Sequence, residues 1–193
     1  FITNQKKQIK SNVMKLTSEE LLVIIDPQKD FTASNGAYAK RHPDSRNIEE
    51  VKSRINQLTK LVDKNRLVIV FSNYQKDQFG TGLSMCIEGT DGHEIDIDFD
   101  ANSKLIPKTQ HSCFSSEDFN NYLKTNSIRT LILCGFLAEY CVKQTAIDGL
   151  QNGYNISLLK EYIGTGNDVQ HRKQEMLLDL ENRGVTIIEN IFD

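Results

Sequence analysis

Residues 21–25 read LLVII and stop at Asp26-Pro27; residues 67–71 read LVIVF and residues 130–134 read TLILC. None of these runs alternates apolar with polar residues. A strand with one wet face must alternate, because successive side chains point to opposite sides of the sheet. A strand covered on both faces need not. The three runs therefore predict parallel strands buried between layers of helix. The intervening segments supply those helices. Ile48, Val51, Ile55, Leu58, Leu61 and Val62 recur at helical spacing within 47–64. Ser115 or Ser116 caps a helix running to about Lys124, with Glu117 and Asp118 in the dipole-favoured first turn. Residues 140–152 and 168–182 read as helices stopped by Gly153 and Gly184. Leu105-Ile106, ISLL at 156–159 and VTII at 185–188 are shorter strand candidates. This alternation predicts an α/β fold: a three-layer, doubly wound sheet of about six mainly parallel strands. The polar stretch 73–102 breaks the pattern as a long irregular excursion, a feature that is usually functional.

The chain has 193 residues, which suits one domain, with residues 1–19 as an N-terminal extension and 20–193 as the domain. A domain of this size buries roughly 70% of its unfolded surface, so it needs neither disulfide nor metal to hold a core. A formal net charge of −3, with mixed signs along the chain, argues against nucleic acid or a polybasic membrane contact as partner. No run reaches the roughly 18 apolar residues of a membrane span. The first twenty residues carry lysines but no apolar stretch of the secretory type, and Met14 is a possible start. Cys86, Cys113, Cys134 and Cys141 form no CxxC pair and no zinc-like spacing. Free thiols in such a chain lead us to expect a reducing cytoplasm.

In a doubly wound sheet, ligands bind beyond the C-terminal ends of the strands, where the strand order reverses. Asp26 follows the first strand, Lys108 follows the short third run, and Cys141 follows the fourth within GFLAEYC. A carboxylate, an ammonium and a thiol thus converge on one rim. A thiol attacks as thiolate, and a helix N-terminus with a neighbouring lysine is expected to lower its pKa. Asp26 is placed to take the thiol proton and return it to a departing amine. Lys108 would hold Asp26 ionised, and the backbone N–H groups of Leu137 and Cys141 would form an oxyanion hole. Cys134, inside a strand, reads as core, and Cys113 as packing. Gln110 and His111 read as a solvated loop, Arg41-His42 as a candidate contact for a carboxylate, and Tyr140 as a candidate pocket wall.

These residues resemble the isochorismatase-like cysteine hydrolases, a family that includes the nicotinamidases. LLVIIDPQKDF is similar to the family's apolar strand followed by DxQxDF, and LIPKTQHSCF to its KxxxSAF segment. LILCGFLAEYCV is similar to Gxx[TA][DE]xCV, and CIEGTDGHEI to C[VI]xGTxGxE[LI]. The resemblance implies the family's hydrolase fold and an Asp26–Lys108–Cys141 catalytic triad. It also implies a cis peptide at Phe136–Leu137, Phe31 in the substrate pocket, a small-molecule substrate, and a homodimer or homotetramer. Nicotinamidases bind a metal through D-x-H after the second strand and a His before the CVxGT motif. Asn73, Tyr74, Gln75 and Met85 stand at those places, and neutral amides and a thioether are poor ligands. His93, His111 and His171 lack ligand-like spacing, so no metal and no other cofactor is expected. A metal-independent cleavage of an amide-type C–N bond through a Cys141 thioester is the leading expectation. The alternatives are a vinyl-ether hydrolase using Asp26 as acid, and a catalytically silent binding protein on the same scaffold.

Overall fold

The computed structural model describes residues 14–189 and residue 191. Most of the predicted extension, residues 1–13, lies outside the described residues. The buried runs form a single parallel sheet of β1 (Glu20–Ile25), β2 (Leu67–Ser72), β3 (Lys104–Lys108), β4 (Thr130–Phe136), β5 (Asn155–Gly164) and β6 (Thr186–Ile188). The strand order is β3-β2-β1-β4-β5-β6, and every neighbouring pair is parallel. The order reverses between β1 and β4, which puts the crevice at the ends of those two strands.

Helices α1 (Lys29–Thr32), α2 (Arg46–Leu58), α3 (Glu117–Thr125), α4 (Lys143–Gln151) and α5 (Gln170–Asn182) connect or flank the strands. Leu21 to Ile25 are all fully buried, each contributing about 1.5–3 kcal/mol by leaving water. Their alternation feeds two cores. Leu21, Val23 and Ile25 meet Phe119, Leu123, Ala146, Met176 and Leu180 of α3, α4 and α5. Leu22 and Ile24 meet Ile48, Val51, Ile55 and Leu58 of α2. The rest of that second face is covered by the excursion after β2, through Tyr74, Cys86 and Ile97. The excursion is thus a structural layer without regular helix.

Two side chains of the DPQKDF segment fix the excursion. Gln28 Nε2 donates to the carbonyls of Ser72 and His93, while its Oε1 accepts from Ser72 N–H. Asp30 accepts from the N–H groups of Cys86 and Ala37. The predicted helix over 47–64 ends at Leu58, after which Met14 and Val62 form an isolated bridge. Ser116, not Ser115, caps α3, its Oγ accepting from Phe119 N–H. The strand read at 156–159 extends to Gly164 across a bulge in its pairing with β4.

Candidate active site

Asp26 terminates β1 in the left-handed region, φ 51°, a conformation for which Asp is among the tolerant residues. Its N–H donates to Val70 O at 2.8 Å, so β2 fixes its direction. The carboxylate is completely buried. Its Oδ1 accepts from Ser72 Oγ at 2.8 Å, and its Oδ2 lies 3.0 Å from Lys108 Nζ. Among the described residues, no aligned hydrogen bond is made to Oδ2. Lys108 ends β3, two strands from β1, and reaches across the end of β2. Its register partner is Ser72, and Nζ donates to Ser72 Oγ at 2.8 Å. It also donates to Gln110 O at 2.9 Å and Tyr74 Oη at 3.1 Å, and lies 3.5 Å from Cys141 Sγ. Burial would lower the lysine pKa, but the charge of Asp26 leads the effects that hold it well above its ordinary value. Lys108 is therefore a fixed cation.

Cys141 is positioned from β4. The Phe136–Leu137 peptide is cis, and residues Ala138–Val142 form a π-helical turn that leads into α4. Gly135 makes this descent possible: its φ is 116°, and a Cβ there would lie 2.1 Å from Ile25 O. Only glycine lets β4 approach the end of β1 so closely. The thiol contacts Lys108 and, at 3.5 Å, Tyr74 Oη. The sequence-based expectation of a lowered thiol pKa is corrected here. Burial pushes the Cys141 thiol up, the Asp26 carboxylate pushes it further, and Lys108 only partly opposes them. The resting group beside Asp26 and the Lys108 ammonium is therefore a thiol.

The sulfur forms part of the wall of a cavity of about 460 Å³ that Phe31, Tyr38, Tyr74, Phe79, His111 and Tyr140 line with rings. Leu137, Leu83 and Met85 add aliphatic surface, and Arg41 and His42 are the polar side of the cavity. Among the described residues, no carboxylate lines it. Asp26 and Lys108 lie behind the sulfur rather than in the lining. A larger groove of about 570 Å³ beside α1 and α2 is polar, and its two lysines are paired, Lys29 with Asp91 and Lys52 with Asp96. Among the described residues, its lining holds no cysteine and no histidine to activate its hydroxyls.

The three rim residues expected from sequence are thus brought together, and Phe31, Leu137 and Tyr140 all face the cavity. Arg41 donates to Gly82 O at 2.9 Å, and His42 pairs with Asp168 at 2.8 Å while stacking on Tyr38. Three members were not anticipated. Ser72 bridges Asp26 and Lys108, Tyr74 touches both Lys108 and the sulfur, and His111 places Nδ1 3.7 Å from Sγ. His111 had read as part of a solvated loop; instead it stacks on Phe79 with centroids 4.4 Å apart.

The family model described as the isochorismatase domain matches residues 20–190. The chain belongs to the isochorismatase family. Among curated relatives, an isochorismatase family protein of Bacillus subtilis is 28% identical over 169 residues, covering 79% of this chain and 90% of its own. The nicotinamidase of Acinetobacter baylyi is 26% identical, covering 85% of this chain and 91% of its own. The solved pyrazinamidase of Pyrococcus horikoshii in complex with zinc superimposes with a TM-score of 0.76 at 22% identity, covering 89% of this chain and 99% of that one. The six-stranded parallel sheet is the isochorismatase-family hydrolase fold. Among the described residues, no helix is long and apolar enough to cross a membrane.

The zinc of that pyrazinamidase prompts a test of the residues here. Among the described residues, no group of three or more His, Cys, Asp or Glu side chains is arranged to hold a metal ion. Tyr74, at one of the expected ligand places, has its hydroxyl on Lys108, and its ring lies 5.1 Å from the same ammonium. A cation is thus already built into this corner as a side chain. Among the described residues, those at this corner do not fit a divalent metal.

Proposed function

We propose that this isochorismatase-family protein is a metal-independent amidohydrolase that cleaves the C–N bond of a small molecule through a Cys141 thioester. The observation that carries the proposal is the sealed contact of Asp26, Lys108 and Cys141 at the wall of an aromatic cavity. Membership of the family and the similarity to a nicotinamidase support amide chemistry.

In this reading the amide carbonyl lies against the turn 137–141, where the N–H groups of Leu137 and Cys141 stabilise the developing oxyanion. Such a donor is worth about 3 kcal/mol in comparable sites. Sγ attacks the carbonyl carbon as the thiol proton passes to Asp26, whose Oδ2, ion-paired to Lys108 but without an aligned hydrogen bond, is the acceptor. The same proton then goes to the departing nitrogen, which leaves as ammonia or an amine. Lys108 remains charged throughout. Phe31 and Tyr140 hold the acyl group, and Arg41 faces any acceptor group that it carries.

The test is a panel of small amides with ammonia detection, run on wild-type protein, Cys141→Ala and Asp26→Asn. Both variants should lose at least about 10³-fold in rate, and EDTA should leave wild-type turnover unchanged. If Cys141→Ala keeps full turnover while Asp26→Asn does not, acid-assisted ether cleavage replaces the thioester route. Loss of activity in EDTA that zinc or manganese restores would overturn metal independence.

A further inference from the structure

We propose that Tyr74 is a catalytic residue of this site, its hydroxyl donating the hydrogen bond that holds the Cys141 sulfur as it becomes a thiolate. The inference rests on Cys141 being the nucleophile, and it adds a fourth side chain to the Asp–Lys–Cys trio.

The Lys108 ammonium carries three protons. Three oxygens are aligned to accept them: Ser72 Oγ at 2.8 Å, Gln110 O at 2.9 Å and Tyr74 Oη at 3.1 Å. Asp26 Oδ2, at 3.0 Å, feels the charge without an aligned hydrogen bond. The Cys141 sulfur is farther than all of these, at 3.5 Å. Lys108 therefore acts on the sulfur through its charge, while its protons go to oxygen.

Two hydroxyls carry that charge onward. Ser72 and Tyr74 each accept from Nζ and each have one O–H proton to give. Ser72 gives its proton to Asp26 Oδ1 at 2.8 Å. Tyr74 has Gln110 O at 3.4 Å and Cys141 Sγ at 3.5 Å within reach. The carbonyl is the poorer acceptor, since O–H···O bonds run to roughly 3.0 Å and Lys108 already donates to it. Sulfur is the larger atom, and 3.5 Å from it is close contact. The Tyr74 proton thus belongs to sulfur, and the ammonium on the other side of the oxygen polarises the hydroxyl into a stronger donor.

The surroundings keep this donor in place. Burial pushes the Tyr74 hydroxyl pKa up, Cys141 and Asp26 add to the push, and Lys108 opposes it, so the proton stays on oxygen. The backbone N–H of Tyr74 donates to Cys86 O at 3.1 Å, and the ring meets Phe79 edge-on with centroids 4.8 Å apart. Against the burial and the Asp26 charge that raise the Cys141 thiol, the charge of Lys108 and the hydrogen bond of Tyr74 pull it down. His111 Nδ1 is farther from the sulfur, at 3.7 Å, and a neutral ring carries a proton there in one tautomer only. In the step, the thiol proton passes to Asp26 as Sγ bonds to the carbonyl carbon. The Tyr74 O–H closes on the charge building at sulfur, and its own proton never leaves oxygen. When the C–S bond of the thioester later breaks, the same donor receives the departing sulfur.

The probe is p-nitrophenyl acetate, whose p-nitrophenolate release reports acylation of Cys141 as a burst. Wild-type protein should give a burst stoichiometric with Cys141 that Cys141→Ala abolishes. Tyr74→Phe keeps the ring and removes the hydroxyl. Its limiting burst rate should fall about 10- to 10²-fold, the effect of one hydrogen bond to a charged group, with burst amplitude and half-saturating concentration unchanged. Tyr74→3-fluorotyrosine puts a stronger donor in the same place and should raise the limiting rate above wild type. A packing role would not follow the acidity of the phenol. If Tyr74→Phe acylates as fast as wild type, changes only the half-saturating concentration, or if Tyr74→3-fluorotyrosine is no faster than wild type, Tyr74 is not the donor and Cys141 stands as nucleophile without it. If wild-type protein gives no burst, or the burst survives Cys141→Ala, the nucleophile assignment fails and takes this proposal with it.

Discussion

Lys108→Met tests whether the buried ion pair is organised around charge compensation. Both side chains of the Lys108–Asp26 pair are completely buried, 3.0 Å apart. Removing the ammonium leaves the Asp26 carboxylate with one hydrogen bond, from Ser72 Oγ, and no counter-charge. It also leaves Gln110 O without the 2.9 Å donor it has now. Breaking a buried pair from one side costs about 3–5 kcal/mol, a large share of the roughly 5–15 kcal/mol by which a domain is stable. With a urea dependence of about 2 kcal/mol per molar, the unfolding midpoint should fall by roughly 2 M. Asp26→Asn/Lys108→Met removes both charges from the same volume, so it should recover about half or more of that loss, although neither variant turns substrate over. Urea titration followed by circular dichroism at pH 7 gives all four corners of the cycle. A Lys108→Met loss under about 1 kcal/mol, or a double variant no more stable than the single, would refute the reasoning.

Gly135→Ala should be among the most damaging single substitutions, since its Cβ would meet Ile25 O at 2.1 Å in a backbone conformation that side chains resist. We expect a loss of about 4 kcal/mol or more, or insoluble protein; a soluble variant with a wild-type urea midpoint contradicts this. Lys173 is a buried lysine whose Nζ donates to Ile163 O at 2.7 Å, and burial pulls its pKa down to about 8, with Glu161 opposing and Arg54 adding to the effect. Between pH 8 and about 10.4 the unfolded chain binds more protons at this residue, so folded wild-type protein gains stability there relative to Lys173→Met. The wild-type minus variant stability difference should move in favour of wild type by more than about 1 kcal/mol from pH 7 to pH 10; a flat difference sinks the assignment.

The fold was legible where burial is two-sided. LLVII, LVIVF and TLILC lie in β1, β2 and β4, whose neighbours cover both faces, and continuous apolar runs admit no other placement in an α/β chain of this size. β3 was half-legible because it is an edge strand: only Ile106 and Lys108 of KLIPK are buried. β5 outran its apolar core since Lys160 and Glu161 follow it across the bulge. At the site, Asp26, Lys108 and Cys141 were readable because each ends a strand, directly follows one or sits in the turn after one. Ser72 needed the strand order, which sets it between Asp26 and Lys108. Tyr74 and His111 needed the path of the excursion and of the loop after Lys108, which no periodicity encodes.

The thiol was the one site residue whose chemistry the sequence misjudged, and the reason bears on how such a site works. A helix N-terminus and a lysine led the sequence reading to a lowered thiol pKa, yet burial and the adjacent Asp26 push that of Cys141 up. Thiol, Asp26 carboxylate and Lys108 ammonium sum to zero charge. Passing the proton from Sγ to Asp26 leaves thiolate, carboxylic acid and ammonium, which also sum to zero. On the proposed reading, activation therefore rearranges charge inside a sealed volume instead of creating it. A buried site strongly resists net charge, so the proton stays within the trio, and the thiolate gains its stabilisation as the oxyanion donors engage an acyl group. Stabilisation confined to the transition state is what raises a rate. The free thiol should accordingly react with iodoacetamide no faster than an ordinary buried cysteine, while acyl donors that fit the cavity acylate it readily.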